Sequence, residues 1–312
     1  MEKIKVGGQA VIEGVMMRSQ NALAVSVRKS DGTIKTKEEE ITSLFETYPI
    51  LKKPVLRGVV VLFDSLARGI SALTFSANEA SEQEDAPGLS PLAIAATIAV
   101  SLAFGILLFV VVPHFLTVAV GKEFFVQMGV ATFSFHLIDG VIKVAIFILY
   151  IVGISFMPDI RRVFMYHGAE HKSIFAFEAG EELTVENAKK YSTTHPRCGT
   201  SFIITVLLIS IFLFAAVFPF MPKLLALPGF MRNLVYILIK IPLLIPIAGI
   251  SYEFIKLAGD HQNSRVLSAL SMPGIWLQKM TTREPTDDQI EVAIAALTKS
   301  VEIEKSRAAQ TS

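Results

Sequence analysis

Four stretches of this chain stay apolar over a length that reaches across a bilayer, and no other feature restricts its fold so tightly. A hydrocarbon core about 30 Å thick needs roughly 20 helical residues at ~1.5 Å each, and lipid leaves an open backbone without partners, so such stretches must be helices. The first runs from about Leu92 to Val112 and the third from Phe202 to Phe220, both without a charge. The second, about Phe135 to Met157, carries Asp139 and Lys143 near its start, and the fourth, about Leu234 to Tyr252, contains Lys240, Pro242 and Pro246. A hydrophobic content of 52% with a mean hydropathy of +0.53 is too apolar for a soluble chain of 312 residues. The expectation is a mainly α membrane protein with four transmembrane helices.

Lys and Arg gather in residues 1–89, in the 158–200 connection and in the tail from Lys256, and are sparse in the other two connections. Short flanks keep their positive charge in the cytoplasm, which places both termini and the 158–200 connection there. The lipid bilayer is the expected partner; a net charge of +1 gives no argument for nucleic acid. Met1–Met17 includes acidic Glu2 and Glu13 and no compact apolar core, so no signal peptide is expected.

Residues 1–53 read as a small cytoplasmic β-rich segment: Ala22–Val27 and Thr33–Thr36 alternate around an Asp31-Gly32 turn, and Gly7-Gly8 and Gly14 mark tight backbone. Residues 54–89 change period, with Val55, Val59, Leu62, Leu66, Ile70 and Leu73 three to four apart, giving an amphipathic helix followed by an acidic linker, Ser81–Gly88. Residues 90–255 form the four-span domain, and 256–312 a helical cytoplasmic tail. Within the tail, Met272-Pro273-Gly274 should break the chain, and Thr286–Gln289 has the form of a capping box opening a last helix.

The chemistry-bearing residues concentrate between spans two and three. Tyr166-His167-Gly168-Ala169-Glu170-His171 and His195-Pro196-Arg197-Cys198 hold three of the six histidines and the single cysteine. If Ile160–Glu178 continues the second span as a helix, then Ile160, Phe164, His167, His171, Ile174 and Glu178 form its inward seam, with Glu170 at the edge of that face. Side chains three or four apart on a helix have Cβ atoms about 5–6 Å apart, close enough for two imidazoles to reach one ion. Gly168 weakens that helix by about 1 kcal/mol relative to Ala, which points to a close neighbour at its backbone. His195 and Cys198 precede the third span, and antiparallel spans two and three would bring them beside the histidine pair. The candidate metal ligands are therefore His167, His171, His195 and Cys198. One thiolate among imidazoles favours Zn2+. Four ligands would make a closed structural site and three an open one, for which Glu170 is the candidate catalytic base. The His-x-x-Glu-His order is that of the inverzincin peptidases, an analogy of chemistry only.

Other polar residues favour bland readings. His114 and His136 read as interfacial residues on the opposite membrane side, His261 as structural with a weaker claim as a further ligand, and Asp139 as the ion-pair partner of Lys143 or Lys240. A transporter built on Asp139 and Lys240 is disfavoured by the few spans and the lack of a repeat.

The segments Gly7–Arg18, His167–His171, His195–Phe202, Pro273–Gln278 and Thr281–Pro285 resemble the YqhQ-like family of bacterial multi-pass membrane proteins, usually labelled predicted metal-dependent enzymes. The resemblance spans nearly the whole chain. It implies a site in the bacterial inner membrane and raises the standing of the glycine-rich N-terminal motif, in which Glu13 and Arg18 either face the site or form structural ion pairs. The resulting expectation is a zinc-dependent hydrolase at the cytoplasmic membrane face, acting on a lipid-linked or membrane-peptide substrate. The alternative is a non-catalytic scaffold or assembly factor tied together by a structural metal or a hydrogen-bond cluster.

Overall fold

The computed structural model describes residues 4–42, 44–81, 90–124, 129–221, 227–261 and 264–311. At the N-terminus, β1 (Gly7–Val11), β2 (Gly14–Arg18), β3 (Ala22–Arg28) and β4 (Ile34–Glu40) form an antiparallel meander in chain order. Gly7 lies opposite Arg18, Gly14 opposite Val27 and Ala22 opposite Glu40. The β3–β4 turn uses Gly32 at φ 86°, as the Asp31-Gly32 signal requires.

Eleven helices follow among the described residues: α1 (Leu44–Thr47), α2 (Leu56–Glu79), α3 (Pro91–Ile106), α4 (Val112–Phe124), α5 (Phe133–Ser155), α6 (Pro158–Ala179), α7 (Val185–Lys189), α8 (Thr200–Val217), α9 (Gly229–Asp260), α10 (Arg265–Thr281) and α11 (Asp287–Thr311). A π turn, Leu107–Val111, joins α3 to α4. Strand alternation sends Val15 and Met17 to one face of the sheet, where they pack with Tyr166 of α6 and Ile290 and Leu297 of α11. Met16, Val25 and Val27 point the other way, onto Ala72 of α2. Both faces are covered, which is why β3 reads as a nearly continuous apolar run.

Among the described residues, five helical stretches, rather than the expected four, are long and apolar enough to cross a membrane: Leu56–Glu79, Pro91–Gly121, Phe133–Ser155, Thr200–Phe220 and Gly229–Gly259. The addition is α2, whose four charges hardly dilute its apolar content. Those charges are paired, Arg57 with Glu253 of α9, Asp64 with both Arg18 and Arg68, and Glu79 with Lys35 of β4. Leu56, Phe63, Leu66 and Leu73 form an exposed apolar stripe on this helix.

Two breaks fall elsewhere than expected. α5 ends at Ser155 and α6 starts afresh at Pro158, because Met157 is extended and proline suits a first helical turn. α10 runs straight through Met272-Pro273-Gly274, where Gly274 lets α10 lie against Ser201 of α8. The capping box forms, with the Gln289 side chain accepting from the Thr286 amide at 3.0 Å. All but the first residue of the acidic linker Ser81–Gly88 lies outside the described residues.

His114 and His136 are buried inside the helix bundle rather than interfacial, at 0% and 1% exposure. They flank a carboxylate shared by two ammonium groups: Asp139 Oδ2 lies 2.9 Å from Lys240 Nζ and 3.6 Å from Lys143 Nζ. Lys240 also reaches His114 Nδ1 at 3.4 Å. A buried charge is kept only where it is paired, and Asp139 pairs with both lysines.

Candidate metal centre

α6 positions most of the site, and the reason is its burial. Every residue from Tyr166 to Ile174 is buried, so the inward seam read from the sequence widens into a helix enclosed on all sides. The sheet and α11 cover one flank, while α7, the 190–199 segment and the end of α10 cover the other. A Cβ on Gly168 would overlap the carbonyl oxygen of Arg283, so the glycine is there to let the chain after α10 cross the helix. That crossing is pinned by the Arg283 amide, which donates to the Phe164 carbonyl at 2.9 Å.

The crossing delivers a hydrogen-bond acceptor. His167 Nδ1 lies 2.9 Å from the Thr281 carbonyl, and His171 Nδ1 lies 2.5 Å from the Thr193 carbonyl. A carbonyl can only accept, so each Nδ1 carries the proton and each Nε2 presents a lone pair. His167 Nε2 is 3.1 Å from Cys198 Sγ. His171 Nε2 is buried and within reach of the same sulfur, without a well-formed hydrogen bond of its own. One donor atom from each of His167, His171 and Cys198 lies within 4.8 Å of the others.

Cys198 sits just before α8, where its sulfur also meets the Thr200 hydroxyl at 3.1 Å and the Thr200 amide at 3.4 Å. The three donors match what zinc takes: neutral imidazoles fixed by backbone carbonyls, and a sulfur. The buried Nε2 of His171 is the orphan such an ion would satisfy.

His195, the fourth candidate, is not brought into this trio. Its ring centroid is 5.8 Å from that of His171, its amide donates to Gln278 at 2.8 Å, and its Nε2 is 3.5 Å from Glu178. Arg197 pairs with the same Glu178. Burial lowers the proton affinity of His171 and of His195, favouring neutral rings.

Glu170 lies at the edge of the site, against β1. Its side chain lies directly against Gly8, where a Cβ would stand 2.8 and 2.9 Å from the Glu170 side-chain carbons. Burial raises the Glu170 pKa, a tendency that neighbouring His167 and His195 and the Gly8 amide oppose. Glu170, His171, His195 and Cys198 line a groove of about 1720 Å³, together with Ile4–Gln9, part of α2 and the end of α11.

His261 is exposed, and its ring bonds the Leu257 carbonyl of α9, away from the trio. Glu13 and Arg18 form ion pairs, with Arg162 and Asp64 respectively. Lys172 escaped the sequence reading. Its buried ammonium donates to the carbonyls of Lys189 and Tyr191 and pairs with Glu284 at 2.7 Å, holding the segment that carries Thr193. A lysine inside an otherwise buried helical run was its only signal.

The family described as "Protein of unknown function (DUF1385)" matches residues 53–303. The chain belongs to that family. A DUF1385 relative, the "Uncharacterized protein YqhQ" of Bacillus subtilis (strain 168), is 33% identical over 320 residues, covering 97% of this chain and 96% of the relative. No solved structure matches. The chemistry of this DUF1385 protein therefore has to be read from its side chains.

Proposed function

We propose that the protein is a zinc-dependent hydrolase at the cytoplasmic face of the inner membrane, with His167, His171 and Cys198 as the metal ligands. The observation that carries this reading is the pair of Nδ1–H groups held by backbone carbonyls, which turns both Nε2 lone pairs toward one sulfur. Three protein ligands leave one position open, the arrangement of catalytic rather than structural zinc. Zinc bound there would supply Lewis acidity at that open position. Glu170, beside the groove, takes a proton from the attacking water. Gly8, lacking a Cβ, leaves room for the Glu170 carboxylate, and His195, neutral and buried, donates to or accepts from the substrate. The surrounding sheet and helices exclude bulk water.

The packing of α2 supports the membrane placement. The α2 half that carries Gly69 and Ala72 lies on the charged sheet, whose β4 reads Ile-Lys-Thr-Lys-Glu-Glu-Glu, so that half cannot also be immersed in lipid. We place α2 in the membrane surface with its apolar stripe toward lipid, leaving four spans. Sheet, 158–200 connection and both termini then lie in the cytoplasm.

One observation favours a second reading, a scaffold with no reaction: the direct contact of His167 Nε2 with Cys198 Sγ already ties α6 to α8 without a metal. Metal analysis of the detergent-purified chain separates the two. About one equivalent of zinc, lost in His171→Ala and kept in Glu170→Gln while cellular function disappears, supports the hydrolase; under about a tenth of an equivalent rejects it.

A further inference from the structure

We propose that the groove takes an extended peptide segment, which adds as a fifth strand to the outer edge of β1 and is led by it to the His167, His171 and Cys198 centre. This deepens the hydrolase reading, and rests on it, by naming the substrate class. β1 is the edge of the sheet, since β2 alone pairs with it. An edge strand presents a row of N–H and C=O groups that another strand can take up.

The hairpin fixes which groups these are. Val11 faces Gly14 across a two-residue connection, so Val11, Gln9 and Gly7 exchange bonds with β2, while Gly8, and Val6 before it, turn their amides and carbonyls outward. Outside the helices and strands, no backbone hydrogen bond of Val6 is found among the described residues, and the β1–β2 register leaves the Gly8 carbonyl outward. Both residues line the groove, as do the apolar side chains of Ile4, Ile174 and Phe177, which would receive alternate side chains of the added strand.

Strands pair about 4.8 Å apart, so a segment bonded to Val6 continues past Glu170 toward Cys198 without leaving the groove. Hydrolysis of that segment adds the oxygen of water to a peptide carbonyl carbon and breaks its C–N bond. One water proton stays with the new carboxyl group, and the other, taken up by Glu170, passes to the leaving amine.

The test uses the full chain in detergent with zinc, and fluorescein-labelled β-casein as an unfolded probe. Casein should bind and be cut, and hydrogen exchange of the segment containing Val6–Gly8 should slow in its presence. Val6→Pro removes the outward amide at the start of a strand, where proline is tolerated. It should weaken casein binding about tenfold, the scale of one backbone hydrogen bond, with zinc content unchanged. Zinc at one equivalent without casein binding overturns the peptide inference and leaves the metal centre standing, whereas absence of zinc overturns both. Equal binding by wild type and Val6→Pro, or unaltered exchange, overturns the edge-strand site. If Val6→Pro does not fold, the exchange measurement on the wild type decides.

Discussion

Gly168→Ala sets helix propensity against packing, and the structure says which wins. Alanine in the middle of α6 should stabilise the helix by about 1 kcal/mol. Against this, the new Cβ overlaps the Arg283 carbonyl, which is backbone and cannot rotate away. Overpacking of this kind costs about 1–3 kcal/mol, and displacing the crossing chain also strains the Arg283 to Phe164 hydrogen bond, worth about 0.5–1.5 kcal/mol. The net expectation is destabilisation of about 1–3 kcal/mol, a fall of several degrees in melting temperature for a chain of this size. Because Thr281, two residues before Arg283, holds His167 Nδ1, the same shift should loosen zinc about 10- to 100-fold. Thermal unfolding in detergent and zinc competition with a chelating dye measure the two effects. A Gly168→Ala protein at least as stable as wild type, with unchanged zinc affinity, would refute the account of the crossing.

Three further outcomes follow from contacts elsewhere. Gly8→Ala should retain zinc but push the Glu170 side chain out of place and impair function as severely as Glu170→Gln; retained cellular function would separate Glu170 from its seat on Gly8. Asp139→Asn should destabilise the bundle by about 3–5 kcal/mol, since it leaves the buried Lys240 and Lys143 without their shared counter-ion, and Lys240→Met should restore part of the loss in the double variant. Glu304 loses hydration on burial, yet its hydrogen bonds from Ser19 and Asn21 outweigh that and hold its pKa below the ordinary glutamate value. A lowered folded-state pKa gives stability that is present above the unfolded value and is lost as pH falls through the folded one. The melting difference between wild type and Glu304→Gln should therefore shrink on acidification below the ordinary glutamate range, and a difference constant with pH would contradict it.

Much of the architecture is legible one residue at a time. The long uncharged runs announce helices because lipid allows nothing else, and Asp31-Gly32 announces a hairpin because its backbone needs a positive φ. α2 was harder: its apolar content reads as a span while its periodic charges read as a surface helix, and both signals come from the same residues. The supposed break at Met272–Gly274 misled because glycine is equally a contact residue, and the second meaning requires knowing that Ser201 lies opposite.

The sequence alone determined that His167, Glu170 and His171 share one stretch of helix, since a rotation of about 100° per residue is local geometry. Only the tertiary structure decided what holds them. The carbonyl that fixes His167 comes from Thr281, 114 residues away, and the one that fixes His171 from Thr193, 22 residues away. The structure also keeps His195 apart from the trio while bringing in Cys198, although the two are near neighbours in sequence. The physical reason is that the tautomer and orientation of each ring are set by the acceptor that holds its Nδ1, and in this protein those acceptors are backbone atoms, whose positions no side-chain pattern encodes.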